Sequence, residues 1–267
     1  MAFVRTGRFV THCDTVGKAD APVLIVANSL GTDMHLWDAQ IPAFAARFRV
    51  VRYDMRGHGL TEPPAGVEAY TIDELAGDVL ALADALKIER FHYCGLSIGG
   101  MVGQRLGARA PDRVRSLALC NTAMTVGVPQ AYRDRADAVR KNGLGSIGDA
   151  VLERWFTPKF LAANPDIACG MRTMLTHTSV AGYVGCCLAL STMDLTADAR
   201  RIACPTLVVA GADDQATPPA AARAIAAAAK GAKLVEIPDC AHLSAVERPA
   251  ELTAVLSEFF TSAAVAA

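Results

Sequence analysis

The chain lacks a charge excess of either sign, a long apolar run and a recognisable targeting segment. Its 26 Lys and Arg residues nearly balance 27 Asp and Glu residues, which gives a net charge of −1 and a pI near 6.6. A nucleic-acid partner is therefore not expected. No apolar stretch is long enough to cross a bilayer, since Arg223 interrupts the alanine-rich run at 220–229. With no signal-peptide apolar core near the N-terminus, these absences predict a cytoplasmic protein without a membrane partner.

Motifs for metal and phosphate binding are also missing. The eight cysteines include no C-x-x-C pair, which argues against a zinc ribbon. The glycines form neither a G-x-x-x-x-G-K-S/T loop nor a G-x-G-x-x-G loop. Most cysteines lie inside apolar strand or helix patterns, which favours buried free thiols in a reducing compartment.

Strand and helix patterns alternate along most of the 267 residues. The predicted strands lie at 23–27, 50–54, 91–94, 114–120, 204–210 and 233–237. Helices are predicted at 37–48, 72–86 and 101–109, and Thr71 with Glu74 forms a capping box before the second of them. This alternation predicts an α/β protein with a mostly parallel central sheet and helices on both faces.

The alternation stops between residues 124 and 199, where the pattern is helical throughout. Helical segments are predicted there at 133–141, 147–155 and 181–190. An all-helical insertion before the strand at 204–210 predicts a cap over the active site. We therefore expect a core made of residues 1–123 and 200–267 and a helical cap made of residues 124–199.

The most informative motif is G-x-S-x-G, formed by Gly95, Ser97 and Gly99. A buried strand precedes it and a helix follows it. A serine on such a strand-to-helix turn has its hydroxyl exposed at the edge of a sheet, and small neighbours are needed because Cβ atoms there would collide with backbone. This is the nucleophile elbow of the α/β-hydrolase fold, and it makes Ser97 the candidate nucleophile.

A serine hydroxyl needs a base and a carboxylate that orients the base, and in this fold the chain order is Ser, acid, His. Of six histidines, His242 follows the last predicted strand and is the candidate base. Asp213 and Asp214 both follow the strand at 204–210, and the pattern G-x-x-D-x-x-T-P favours Asp214. Asp213 is the alternative. The oxyanion hole is expected to use the backbone N–H groups of Ile98 and of Leu30, in the loop after the strand at 23–27.

These residues resemble a known family. The elbow, the Asp-x-Arg-Gly-His-Gly turn at 54–59, the late acid and the terminal His are shared widely among α/β-hydrolases. The Asn-Ser-Leu-Gly-Thr segment at 28–32, leading to Trp-Asp at 37–38, resembles the 3-oxoadipate enol-lactonases of bacterial aromatic catabolism, as do residues 95–104 and the Glu-Arg-Trp-Phe-Thr-Pro segment at 153–158. The resemblance spans nearly the whole chain. Tyr132 departs from it, because a tryptophan is expected there.

The resemblance implies hydrolysis of the ring of 3-oxoadipate enol-lactone to 3-oxoadipate, with a small anionic lactone as substrate and no metal or organic cofactor. The alternatives are a general carboxylesterase, a hydrolase of C–C bonds in ring-cleavage products, or a ligand receptor that has kept the fold without turnover. The oligomeric state is left open.

A cation of the cap is expected to bind the substrate carboxylate, because a guanidinium meets a carboxylate with two parallel hydrogen bonds. Helical spacing places Arg135 beside an apolar face, and Trp155, flanked by Leu152 and Phe156, is the expected aromatic wall of the pocket. The cap cations from which Arg135 is chosen are Arg133, Arg135, Arg140, Lys141, Arg154, Lys159 and Arg172.

Overall fold

The computed structural model describes residues 1–7, 9–64, 66 and 70–265. Within them one eight-stranded sheet has the order β1-β2-β4-β3-β5-β6-β7-β8. Its strands are β1 (Ala2–Thr6), β2 (Phe9–Val16), β3 (Val23–Ala27), β4 (Arg49–Tyr53), β5 (Phe91–Leu96), β6 (Val114–Cys120), β7 (Thr206–Gly211) and β8 (Lys233–Ile237). β2 runs antiparallel to β1 and to β4, and every neighbouring pair from β4 to β8 is parallel. The mostly parallel sheet predicted from the sequence is confirmed.

Two groups of helices cover the sheet, and other helices lie in the insertion between β6 and β7. In chain order the helices are α1 (Ile41–Ala45), α2 (Ile72–Ala85), α3 (Ile98–Arg109), α4 (Pro129–Asn142), α5 (Gly148–Trp155), α6 (Pro158–Ala163), α7 (Pro165–His177), α8 (Val180–Thr192), α9 (Thr196–Ala199), α10 (Pro219–Ala228), α11 (Ser244–Glu247) and α12 (Pro249–Val265). Helices α2, α3, α9 and α10 contact one another in series, and α12 contacts both α1 and α11. On β5, His92 packs against Phe260 of α12 and the next residue, Tyr93, lies against Gly103 of α3. Successive strand residues point to opposite faces of a sheet, so the two groups of helices lie on opposite faces.

Local sequence explains where two elements begin. The hydroxyl of Thr71 accepts a hydrogen bond from the Glu74 amide at 3.1 Å, which caps the N-terminus of α2 as predicted. The predicted helix at 37–48 is wrong in extent, because it is divided into a 3₁₀ turn at Met34–Trp37 and the short helix α1. Pro42, which cannot donate a backbone hydrogen bond, starts a new helix instead of continuing the turn.

Six helices, α4 to α9, lie between β6 and β7, in a part of the chain that is described throughout. They include the three helical segments predicted there and add α6, α7 and α9. The two ends of this insertion meet in a β-bridge between Thr125 and Asp194, beside which the Leu195 amide donates to the Met124 carbonyl at 2.8 Å. The insertion therefore leaves and re-enters the sheet region at nearly the same point.

Among the described residues no single helix has the length and composition needed to cross a membrane. Helices α7 and α8 pass that test only when taken together, and they are bent by 90° where they meet. All eight cysteines are free. Of the five that lie inside apolar strand or helix patterns, Cys94, Cys120, Cys186 and Cys187 are buried as predicted, whereas Cys204 is half-buried.

The topology brings the candidate residues to one edge of the sheet. Strands β3, β5, β6, β7 and β8 are mutually parallel, so their carboxyl ends point the same way, which is where open α/β sheets place ligand-binding residues. Leu30, Ser97, Asn121, Asp214 and His242 each follow one of these strands within a few residues.

Candidate active site

Ser97 occupies a strained turn between β5 and α3. Its φ angle of 58° lies in the left-handed region, which non-glycine residues seldom adopt. A Cβ atom on Gly95 would lie 2.2 Å from the Gly99 carbonyl oxygen, and one on Gly99 would lie 2.7 Å from the Ala27 carbonyl oxygen. The two glycines of the motif are therefore required by close backbone contacts that hold Ser97 in this conformation.

His242 and Asp214 form a buried pair. The Nδ1 atom of His242 lies 2.9 Å from Oδ2 of Asp214, which also accepts hydrogen bonds from the Thr217 hydroxyl and the Asn121 side-chain amide. The other oxygen, Oδ1, accepts from the backbone amides of Ala216 and Thr217. Burial alone would raise the pKa of Asp214, but the charge of His242 and these hydrogen bonds lower it below its usual value. An ionised Asp214 accepts from Nδ1–H and so leaves Nε2 of His242 free to take a proton.

The structure separates Asp214 from its neighbour. Asp213 has an exposed side chain, and its backbone amide donates to the Cys240 carbonyl at 2.9 Å. Asp214 is 3 % exposed. Of the two carboxylates weighed from the sequence, Asp214 is the one in contact with His242. The other histidines, His12, His35, His58, His92 and His177, make their polar contacts elsewhere.

One cavity joins the candidate residues of the sheet to those of the inserted helices. Ser97, His242 and Leu30 line it from the sheet side, and Arg135 and Trp155 line it from the inserted helices. The remaining lining residues are Ser29, Tyr132, Val151, Arg154, Tyr183, Leu190 and Ala216. The volume of the cavity is about 40 Å³, which is room for a few water molecules.

Arg135 brings a positive charge to this cavity. Its guanidinium lies over the ring of Tyr132, 5.3 Å from the ring centre, and it forms no ion pair with a carboxylate of the described residues. Burial would lower the pKa of Arg135, but the phenols of Tyr183 and Tyr132 and a hydrogen bond to Tyr183 raise it, so the side chain is charged. A half-buried cation without a carboxylate partner suits an anionic ligand.

The loop after β3 is folded by its own polar side chains. Asn28 donates its side-chain amide to the Tyr53 carbonyl at 2.8 Å and accepts the Gly99 amide at its own carbonyl, 3.2 Å away. The Thr32 hydroxyl accepts from the Ser29 amide at 3.0 Å. Among the described residues, neither the Leu30 nor the Ile98 amide donates to another backbone group outside the regular elements. Both of the N–H groups expected to form an oxyanion hole are thus available.

Sequence reasoning missed several residues around His242. Asn121, passed over because it is not a carboxylate, donates to both Asp214 and the Ala241 carbonyl, and its own oxygen accepts the Ser244 hydroxyl at 2.6 Å. Its position after β6, next to the acid-bearing strand, was the available signal. Tyr183 was missed because α8 is apolar on all sides and its pattern does not single out one face.

No group of three His, Cys, Asp or Glu side chains in the described ranges is arranged to hold a metal ion.

Comparison with known proteins agrees with this architecture. A family model of the α/β hydrolase fold matches residues 22–249. The chain belongs to the α/β-hydrolase family. The fold predicted from the nucleophile elbow is therefore confirmed, and the match covers most of the chain.

The proteins similar to this chain include enol-lactonases, the family that the sequence resembles, and an esterase. The chain is 40 % identical to 3-oxoadipate enol-lactonase 2 of Acinetobacter baylyi over 88 % of its own length and 87 % of the relative's length. The crystal structure of the enol-lactonase from Burkholderia xenovorans is matched with a TM-score of 0.95 and 41 % identity, over 97 % of this chain and all of that chain. A thermophilic esterase from Thermogutta terrifontis is matched with a TM-score of 0.91 and 26 % identity, over 98 % of each chain.

Proposed function

We propose that this hydrolase opens the ring of 3-oxoadipate enol-lactone to give 3-oxoadipate, in the cytoplasmic breakdown of aromatic compounds through protocatechuate or catechol. The single observation that carries the proposal is one cavity lined by Ser97, by the His242 of a buried His–Asp pair, and by a charged Arg135 without a carboxylate partner. The names of the similar enol-lactonases support the choice of lactone.

The first half of the proposed reaction acylates Ser97. Nε2 of His242 takes the proton of the Ser97 hydroxyl as the oxygen attacks the lactone carbonyl carbon, and Asp214 stabilises the imidazolium that forms. The N–H groups of Leu30 and Ile98 hold the negative oxygen of the tetrahedral intermediate. When the intermediate collapses, the ring C–O bond breaks and the former ring oxygen leaves as an enolate, which the imidazolium can protonate.

The second half restores the enzyme. The released enol becomes a ketone within the acyl group while that group is still bound to Ser97. His242 then takes a proton from water as the water oxygen attacks the acyl carbon, and it returns that proton to the Ser97 oxygen when the acyl bond to Ser97 breaks. The acid product loses its own proton to solvent and leaves as a carboxylate. Neither half of the reaction requires a metal or an organic cofactor.

We propose that residues 124–199 act as the cap that selects the substrate. Arg135 binds the free carboxylate of the lactone and Trp155, which is 4 % exposed, forms the aromatic wall beside it. Because the cavity holds about 40 Å³, side chains of the cap must move when the lactone enters. The small anionic lactone is the only partner proposed.

The decisive experiment is a spectroscopic assay with purified protein. Loss of the ultraviolet absorption of 3-oxoadipate enol-lactone is expected with the wild type and not with Ser97→Ala. Hydrolysis of simple neutral esters at a higher kcat/KM than the lactone would point to a general carboxylesterase instead. Cleavage of a C–C bond in a ring-cleavage product would favour the second alternative, and lactone binding without turnover by either protein would favour a receptor.

A further inference from the structure

The His242 loop is hydrogen-bonded to the inserted helices through backbone atoms. The Trp155 carbonyl, at the C-terminus of α5, accepts the amide of His242 at 3.1 Å and that of Leu243 at 3.0 Å. The last carbonyls of a helix have no partner within the helix, so they are free for such contacts. The residue proposed to wall the substrate pocket is thus bonded to the residue proposed to be the base.

Glu247 makes a second connection between the same two segments. One of its carboxylate oxygens, Oε1, accepts the Thr157 amide at 3.0 Å and the Thr157 hydroxyl at 2.5 Å. The other, Oε2, accepts the Ala241 amide at 2.7 Å. Glu247 is 6 % exposed, and no ion pair joins it to a cation of the described residues. Three donors converge on this buried carboxylate, which is how a buried charge is stabilised without a counter-ion.

The two segments joined in this way have different tasks. Residues 155–157 lie at the C-terminal end of α5, whose Val151, Arg154 and Trp155 line the cavity. Thr157 caps α6 by accepting the Phe160 amide at 3.2 Å. Ala241 directly precedes His242. A displacement of one segment relative to the other would therefore change the distance between a bound lactone and the base.

We propose that Glu247 is a positioning residue, which fixes the His242 loop against the segment 155–157 so that substrate and base stay in register. This inference rests on the assignment of His242 as the general base. The role of Glu247 differs from that of Arg135, because Glu247 affects the chemical step for every substrate, whereas Arg135 affects the binding of a negatively charged one.

Glu247→Gln tests the proposal with little change in volume. A glutamine side chain has one acceptor oxygen and one NH₂ group, so it cannot accept from Thr157 and Ala241 at the same time. A misplacement of about 1 Å can cost about 10²-fold in rate. We expect kcat to fall about 10- to 100-fold for the lactone and for a small neutral ester alike, with KM changed by less than about threefold. The rate of Ser97 modification by a fluorophosphonate should fall by a similar factor.

Thr157, which donates two hydrogen bonds to Glu247, offers a matched pair of variants. Thr157→Val removes the hydroxyl donor at nearly constant shape and should show part of the same loss in kcat. Thr157→Ser keeps the hydroxyl and should restore kcat to within about twofold of the wild type. Glu251→Gln, an exposed first-turn carboxylate of α12, should leave both substrates unaffected.

The outcomes separate this proposal from the proposed function. All rates are measured at a temperature where circular dichroism shows each variant fully folded. If Glu247→Gln keeps the wild-type kcat and fluorophosphonate rate, or raises KM alone, Glu247 is only structural and the inference is overturned. If Ser97→Ala keeps its activity in the same assay, the proposed function itself is overturned.

Discussion

Replacing Arg135 with alanine should remove recognition of the substrate carboxylate and little else. The side chain is half-buried in the cavity wall, lies over Tyr132 and has no carboxylate partner in the described part of the chain. Net hydrogen bonds to a charged group contribute about 1.5–3 kcal/mol, which corresponds to about 10- to 150-fold in kcat/KM. Because the Arg135 side chain is only half-buried, we expect the lower half of that range for Arg135→Ala.

The assay compares two substrates in the same variant. The kcat/KM for the lactone should fall by that factor, mainly through KM, whereas hydrolysis of a small neutral ester should change by less than about threefold, because Ser97 and His242 are untouched. Arg135→Lys keeps the charge but loses the two-pronged geometry, so it should lie between the alanine variant and the wild type. Arg133→Ala, an exposed cation of the same helix, is the matched control.

Two results would refute this reasoning. Equal losses for the lactone and the neutral ester would mean that Arg135 supports the structure of the site and does not bind the carboxylate. An unchanged lactone rate would move the anchor elsewhere, and Arg154, which lines the same cavity without an ion pair among the described residues, would be the next cation to test.

Three further predictions concern the nucleophile, the acid and a buried histidine. Ser97→Ala should lower kcat about 10⁴-fold or more with an unchanged circular dichroism spectrum, and a tenth of the wild-type rate would exclude an acyl-enzyme. Asp214→Asn should cost about 10⁴-fold and Asp213→Asn less than about threefold, and equal losses would reverse the assignment. Burial lowers the pKa of His92 from 6.5 to about 4, so the contribution of His92 to the unfolding free energy should fall by up to about 3 kcal/mol as the pH falls from about 7 to 4. Urea denaturation should show a smaller loss for His92→Gln.

The sign of the last prediction follows from burial. His92 is 1 % exposed, packs edge-on against Phe48 and Phe260, and has Nδ1 2.8 Å from the Ser116 hydroxyl. The folded protein therefore resists protonation that the unfolded chain accepts below about pH 6.5. The stabilisation is complete above that pH and is lost as the pH falls toward 4. A pH-independent difference between the wild type and His92→Gln would contradict it.

Much of the fold could be predicted because its signals are local. The bounds of β3, β6 and β8 coincide with the predicted ranges, and α2 begins at Ile72 as its cap indicates. These elements have β-branched runs or a clear helical period between turn residues. The helix after β3 was harder to predict, because the 3₁₀ turn at Met34–Trp37 and α1 together have the apolar pattern of one longer amphipathic helix.

The order of the candidate site was predictable, but its supporting contacts were not. The Ser-acid-His order depends only on how parallel strands follow one another, so it can be read from spacing. Asn121, Ser244 and Glu247 reach the site by long-range contacts, the first to Asp214 across 93 residues and the last to Thr157 across 90. Neither residue type nor spacing marks such contacts in a single sequence.

Two of the segments that resemble the enol-lactonases, residues 28–32 and 153–158, contribute largely through their backbones. In the segment 28–32, Asn28 and Thr32 shape a loop that leaves the Leu30 amide available beside Ser97. In the segment 153–158, the Trp155 carbonyl holds His242 while the Trp155 ring lines the cavity. Both segments thus hold main-chain atoms next to the cavity that Ser97 and His242 line. A substitution there is expected to affect turnover even where the new side chain never meets the substrate.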